Sequence, residues 1–378
     1  MPLLLLLLLF LSGCSTAIKT KPKPIPRGTT HLQAVTFESL PGWSLDHHEE
    51  ALTTFVKTCH NILKKKSAPE KLGSNLRLWK KVCSIAMQIP TSGKGVVRQK
   101  ARNLSRNFFE TYFQPYLLGV SNHGKNFTNQ ALVTGYYEIE LHGSLRPNPA
   151  CPHPILSPPK NLKKNLSHSS LKRSSIHRGS LKGKGLEVAW IQDLPRFYFM
   201  QIQGTGVIKL QEGGEMGLNW AGHNGFKFKG LPEQYNGSTL EVMHQLRVEP
   251  DQGKKTMECN ESYIFFQPRK EPHPVGAANV MLTPERSVAL DSAIYPYGIP
   301  FWLEIQLPKI SGYNSGGAYR RLVIGQDRGG AIKGGNRFDL FWGRGRRAEN
   351  FASGLKSDGR VFALFPKGMK IPMTFERP

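Results

Sequence analysis

The chain reads as a mainly β protein with a helical N-terminal part, and three observations predict this. Apolar residues recur at helical spacing only before Phe113. Beyond that point, short apolar runs alternate with turn residues. Glycine and proline, 38 and 27 of 378 residues, are spread along the chain and make turns frequent. A hydrophobic content of 39% supports a real core, and the length admits two domains or one domain with a large insertion.

The elements follow in order. Leu52, Phe55, Val56, Ile62 and Leu63 give residues 49–66 one apolar face, and 71–87 and 96–113 read as helices on the same ground. Pro115 and the polar stretch 121–129 end this helical preface. Residues 131–141, ALVTGYYEIEL, read as a strand. Residues 147–184 are rich in Pro, Lys and Ser and poor in apolar side chains, so a long loop is expected. Short strands are expected at 185–190, 197–203 and 207–210, with QGTG at 203–206 marking a turn. Residues 240–247 read as a short helix and 263–267 as a strand, and 284–378 return to dense strand and turn signals. No internal repeat is visible.

The net charge is +24, and eight Lys/Arg with no carboxylate fall between residues 160 and 184. That balance favours an acidic partner: nucleic acid, anionic lipid or a carboxylate-bearing polymer. The plainer reading is a solvated surface with no ligand.

The N-terminus decides among these. Leu3 to Leu9 are seven leucines, followed by Phe10-Leu11-Ser12-Gly13-Cys14. The run is too short to span a bilayer and fits the apolar region of a secretory signal peptide. Its Leu-Ser-Gly-Cys ending resembles the bacterial lipoprotein signal, although no Lys or Arg precedes the leucines. The resemblance implies removal of residues 1–13, lipidation of Cys14 and, since Ser15 is not Asp, the periplasmic face of the outer membrane. Residues 14–33, Pro/Lys-rich up to Gly28, read as a tether. Export argues against nucleic acid, and no aromatic-basic RNA motif appears. Export also permits disulfides: Cys59 and Cys83 lie on neighbouring helical segments, and the sequence leaves their pairing open. The cysteine spacings match no zinc pattern, so neither a metal nor any other cofactor is expected.

The segment 326–345, QDRGGAIKGGNRFDLFWGRG, carries the chemistry. Asp327 and Asp339 bracket a loop containing Gly329, Gly330, Gly334 and Gly335, with apolar runs at 322–324 and 340–342. This reads as strand, tight glycine turn, strand, where glycine lets the backbone approach a ligand. Phe338, Phe341 and Trp342 around Asp339 would withdraw it from water, raising its pKa so that it holds a proton at neutral pH. The plainer alternative is that both aspartates only cap turns.

Several blocks, taken in order, now resemble one family. They are TGYY (134–137), LKGKGLEVAWIQD (181–193), FYFMQIQGTG (197–206), NESYIFFQ (260–267), PVGAANVMLTPERSVALD (274–291), YPYGIPFWL (295–303) and the 326–345 segment. The chain from about Phe37 onward is similar to the membrane-bound lytic transglycosylase A family of peptidoglycan-cleaving lipoproteins. The resemblance implies a double-psi β-barrel from residues 34–134 plus 266–378, including the "3D" domain. A smaller inserted β-domain, 135–265, would carry a basic loop at about 150–184, and a groove between the two would hold the glycan. The three aspartates of the 3D domain match Asp291, Asp327 and Asp339.

The reaction implied is non-hydrolytic cleavage between N-acetylmuramic acid and N-acetylglucosamine, giving a 1,6-anhydromuramoyl end. By its place in the motif Asp339 is the single acid/base. Asp327 would stabilise developing positive charge or orient the sugar. Asp291 reads as structural, bonding backbone within the barrel. Thr134, Gly135, Tyr136 and Tyr137 would line the groove, the tyrosine rings stacking on sugars; strand alternation alone would bury one ring and expose the other. Gln203 and Gly204 would donate to N-acetyl groups or, on the plainer reading, serve only the turn, and Gly329 and Gly330 would shape the loop. Trp190, Trp220 and Trp302 are candidate platforms, against the plainer reading of core tryptophans. Arg328 departs from the family, where a small residue usually precedes the double glycine. The partners implied are peptidoglycan glycan strands, the membrane through the N-terminal lipid, and other cell-wall enzymes. The main alternative is a peptidoglycan-binding lipoprotein that does not cut, which the acidic residue at 339 disfavours. An aspartic protease would want Asp-Thr/Ser-Gly, and Asp327-Arg328-Gly329 departs from it.

Overall fold

A computed structural model describes residues 28–376 apart from 68–70, 123–124, 163–165, 272 and 311–315. The signal peptide, Cys14 and the tether up to residue 27 lie outside the described residues. After β1 (Gly28–Ala34), the helical preface forms as its apolar spacing predicts: α1 (His48–Lys64), α2 (Leu76–Ala86) and α3 (Gly95–Tyr112). α1 turns Leu52, Phe55, Cys59 and Ile62 inward at steps of three and four residues. Phe55 meets Phe108, Phe109 and Phe113 at ring separations of 6.2, 6.3 and 5.9 Å. The side chain of Asn75 caps α2 by accepting the Leu78 amide. A disulfide joins Cys59 of α1 to Cys83 of α2, which closes the question the sequence left open.

The remaining elements are β2 (Phe113–Asn122), β3 (Lys125–Thr128), β4 (Ala131–Ser144), β5 (His153–Leu156), α4 (Arg173–His177), β6 (Glu187–Ile191), α5 (Leu194–Gln203), β7 (Thr205–Leu210) and β8 (Glu215–His223). Then come α6 (Thr239–Val248), α7 (Pro250–Glu258), β9 (Ile264–Arg269), β10 (Ser287–Ala289), β11 (Pro300–Leu307), β12 (Gly317–Asp327), β13 (Arg337–Arg344), α8 (Arg346–Gly354), β14 (Lys356–Pro366) and β15 (Thr374–Glu376). The architecture is mainly β, a mixed sheet carrying helices. β4 is the strand that connects its two parts. Its residues 131–136 pair with β13 and β14, and its residues 139–144 pair with β7 and β6. β7, β8 and β9 continue antiparallel on the second part. Among the described residues, no helix is long and apolar enough to cross a membrane.

Three sequence expectations are corrected here. Residues 28–33 are not tether: β1 pairs with β2 across its length and with β15 at residues 29–31. Residues 197–203 are helix, not strand. Asp193 accepts the Arg196 amide as N-cap, Pro195 sits in the first turn, and Gly204, at φ 80°, closes the C-terminus. These start and stop signals outweigh the aromatic content that favours a strand. Residues 147–184 are not one long loop, since β5 and α4 lie within them. The Arg173 guanidinium is buried, donates to the Asn260 carbonyl (3.0 Å) and to Gln201, and lies 4.7 Å over the Tyr198 ring. One cation of the basic run therefore serves the core through a ring face and satisfied donors.

Candidate active site

Strand register builds the site. β10 lies between β12 and β13, parallel to the first and antiparallel to the second, so the loop 328–336 links two strands that do not pair with each other. The expected tight turn is thus a longer connection. Ala289 faces Asp327 on one side and Asp339 on the other, and Asp339 faces Thr134 of β4. Paired positions share one face of a sheet, so these four residues form a row across four strands. Two strand spacings put the aspartate Cα atoms about 10 Å apart, with only an alanine side chain between them. An irregularity at Val288/Ala289 brings Asp327, rather than Gln326, opposite Ala289. Gln326 turns inward, donating to the Thr54 carbonyl (2.9 Å) and Thr58 Oγ1 (2.7 Å) of α1, and accepts from Ser287.

β13 separates chemistry from packing by alternation. Phe338, Leu340 and Trp342 enter the main core. Asp339 and Phe341 face the other way, where Phe341 clusters with Tyr136, Leu282, Ala289 and Ile332. The expectation that three aromatics desolvate Asp339 is therefore corrected: Phe341 shares its face, whereas Phe338 and Trp342 lie behind the strand.

The two half-buried carboxyls sit in different hydrogen-bond environments. Asp327 Oδ1 accepts the amides of Ala277 and Arg328, both at 2.9 Å, and Oδ2 accepts the Tyr136 hydroxyl at 2.8 Å. Asp339 Oδ1 accepts the Thr134 hydroxyl at 2.5 Å. Burial pushes Asp339 up to about 6, against the Thr134 hydrogen bond and the Arg337 cation, which pull it down; Asp327 adds to the rise. Burial also raises Asp327, but its two amides and the Tyr136 hydroxyl stabilise the charged form. Three hydrogen-bond donors favour the charged form of Asp327, against one for Asp339. The Arg328 cation adds a lowering influence on Asp327.

The other expected residues occupy varied places. Gly135 faces the packed side of β4, where an added Cβ would come within 2.7 Å of Trp342 Nε1 and 2.8 Å of the Ala352 Cα. Tyr136 and Tyr137 are only 7% and 1% exposed, so neither ring offers a face for a sugar. Their hydroxyls work inward instead, Tyr136 on Asp327 and Tyr137 on Glu349 (3.0 Å). The Gln203 side chain accepts the Tyr137 amide at 3.3 Å, which ties α5 to β4, and Gly204 ends α5. Gly329 and Gly330 keep negative φ; the positive φ in the loop belongs to Gly334, at 99°. Asp291 is buried, and its carboxylate accepts the amides of Gly334 (2.8 Å) and Ala293 (3.1 Å). Trp302 is fully buried beside Trp43 and is no platform, Trp190 is half-buried, and Trp220 is 50% exposed on β8. His47, Glu49 and Glu50 converge elsewhere, but Arg98, Arg102 and Arg286 already bond these carboxylates.

Sequence reasoning missed Arg337. Its Nη2 donates to Thr134 Oγ1 at 2.9 Å, and its Nη1 to the Phe338 carbonyl at 2.5 Å. The signal was present: in a strand, a residue two positions before Asp339 shares its face.

Comparison with known proteins adds the relatives. The MltA specific insert domain family matches residues 132–267, and the 3D domain family matches residues 286–365. The membrane-bound lytic murein transglycosylase A of Vibrio cholerae is 30% identical over 253 residues, which span 64% of this chain and 67% of that relative. The crystal structure of MltA from Neisseria gonorrhoeae superimposes with a TM-score of 0.73 at 25% identity, covering 92% of this chain and 95% of that one. The lytic transglycosylase LtgG of Burkholderia pseudomallei gives 0.60 at 29% identity, covering 89% and 96%.

Proposed function

The chain belongs to the membrane-bound lytic murein transglycosylase A family, and we propose that it cleaves peptidoglycan with Asp339 as its single acid/base. It is a peptidoglycan lytic transglycosylase. The observation that carries the single-acid reading is the asymmetry of the two carboxyls: Asp339 is raised to about 6 with one donor, whereas Asp327 is held by three.

In the first step protonated Asp339 gives its proton to the glycosidic oxygen, and the bond from muramoyl C1 breaks. Positive charge developing at C1 is met by the Asp327 carboxylate. The C6 hydroxyl of the same muramoyl residue then attacks C1, and the Asp339 carboxylate takes its proton. The acid is regenerated, the product is a 1,6-anhydromuramoyl end, and no water is consumed. One carboxyl suffices because nucleophile and electrophile belong to the same sugar, unlike hydrolysis, which uses two.

Gln203, Tyr136, Tyr137 and Gly135 act in this reading as supports of the catalytic row. Asp291 holds the loop through the Gly334 amide, and Gly329 and Gly330 belong to that loop. We infer the domain division in the same way: residues 34–134 plus 266–378, joined by β1 from residue 28, form the larger domain, and 135–265 the insert. A double-psi barrel in the larger domain is supported by a closed cycle of pairings, β14–β11–β12–β10–β13–β4–β14. Anchoring by a lipid on Cys14, at the periplasmic face of the outer membrane, is supported by the Leu-Ser-Gly-Cys leader. Cys14→Ala should move the protein from the membrane to the soluble fraction, and a variant that still sediments with membranes would refute the anchor.

The deciding experiment is mass spectrometry of muropeptides released by the chain lacking residues 1–14, beside Asp339→Asn. The reading requires products one water lighter than hydrolysed muropeptides, absent with the Asn variant. Products of hydrolysed mass would refute it.

A further inference from the structure

We propose that Arg337 is a positioning residue: it fixes Thr134 as an obligate donor to Asp339 Oδ1 and so confines the catalytic proton to Oδ2. The argument rests on the assignment of Asp339 as the acid/base and goes beyond it. A guanidinium donates and cannot accept, and a threonine hydroxyl has one proton to give. Arg337 Nη2 donates to Thr134 Oγ1 at 2.9 Å. The hydroxyl oxygen is thereby engaged as an acceptor, and its single proton points to Asp339 Oδ1. An oxygen accepting so short a bond is the poorer place for the acid proton. Protonated Asp339 therefore carries its proton on Oδ2, which has no partner among the described residues and is the oxygen left to address a substrate.

Arg337 is itself held. Its Nη1 donates to the Phe338 carbonyl (2.5 Å) of its own strand and to the Leu132 carbonyl (3.5 Å) of β4. The guanidinium thus clamps β13 to β4 at the register where Asp339 meets Thr134. Without it the Thr134 hydroxyl is free to rotate and accept from the acid, and the proton would be shared between the two oxygens. A misdirected general acid loses much of its advantage, since proton transfer needs the donor within hydrogen-bond reach of the leaving oxygen.

Other charged and titratable groups face the row. Asp327 comes from β12 and Tyr136 from β4, and Lys356 of β14 stands in register with Thr134. Asp327 opposes ionisation of Asp339, and Arg337 and the Thr134 bond favour it. Removing either of the last two should raise the Asp339 pKa. Because the protonated form starts the reaction, the falling limb of the rate profile should move to higher pH.

The test is a mutant cycle on the soluble chain, followed by muropeptide release across pH. Arg337→Met and Thr134→Val should each lower kcat about tenfold to a hundredfold. KM should change little, and the falling limb should move alkaline in both. The double variant should be no worse than the poorer single, as residues acting as one unit behave. Thr134→Ser, which keeps the hydroxyl, should restore near-normal turnover. Effects that multiply in the double variant, or a lowered rate with an unmoved limb, would overturn the proposal. If Arg337→Met does not fold, Thr134→Val against Thr134→Ser still decides it, since equal activity of the two would remove the hydroxyl from the account. Failure of the underlying assignment looks different: Asp339→Asn would retain activity.

Discussion

The two faces of β13 carry opposite duties within eight residues. Arg337, Asp339 and Phe341 look toward the catalytic row, where a carboxyl is half-buried and two hydrogen bonds set its state. Phe338, Leu340 and Trp342 look into the main core, where no polar partner is needed except by the Trp342 ring nitrogen, which stays unbonded. One face is tuned at the expense of solvating a charge, and the other stabilises the strand that holds it. The supporting side of the strand is ordinary hydrophobic core.

This contrast can be broken from either side. The largest effect belongs to Asp339→Asn, which should lower turnover by at least about a thousandfold, within the span of general acid–base contributions. The variant should stay folded by circular dichroism, and a modest loss of rate would break the division of labour. On the opposite face, Trp342→Ala should cost about 3–5 kcal/mol in denaturant unfolding. The ring lies 4.7 Å from Phe351, stacked at 11°, and its loss leaves a cavity. The molecules still folded should retain a normal pH profile. Gly135→Ala should cost about 1–3 kcal/mol by overpacking, since the added methyl meets the Ala352 backbone as well as Trp342. A neutral result would show that β4 and α8 are not in close contact.

A smaller effect sharpens the electrostatic side. Asp339 is raised above its ordinary carboxylate range, to about 6. Its favourable contribution is thus present when protonated, below about pH 4, and is lost as pH rises through about 6. Asp339→Asn carries no charge to desolvate. It should be more stable than the native chain at pH 7 by no more than about 3 kcal/mol, and that gap should close toward pH 4. Thermal unfolding at the two pH values measures it. A gap of opposite sign would mean that the carboxylate is well solvated.

Much of this was legible in the sequence because it is local. α1 to α3 follow from apolar periodicity, β4 from its apolar run, and the importance of the 326–345 segment from two aspartates among glycines and aromatics. What was missed depends on long-range pairing. Nothing near residue 327 says that Ala289 will stand between the two aspartates, so the segment reads as two strands joined by a tight turn. The tyrosines of TGYY looked like sugar platforms because the sequence does not show that Asp327 and Glu349 claim their hydroxyls. Residues 197–203 were misread for a different reason. Asp193, Pro195 and Gly204 are helix signals that flank the run, whereas the aromatic run between them favours a strand. Arg337 needed only the alternation rule applied outward from Asp339.

The central claim is that one carboxyl, Asp339, holds and returns the proton. The pH dependence of kcat/KM tests it most directly, measured for the native chain and for Asp327→Asn. In the native chain the rate should fall as pH rises through about 6. In Asp327→Asn the limb should persist, moved somewhat lower, because the neighbouring negative charge that lifts Asp339 is gone. A native profile flat from pH 5 to 8, or a limb that vanishes with Asp327→Asn, would contradict it.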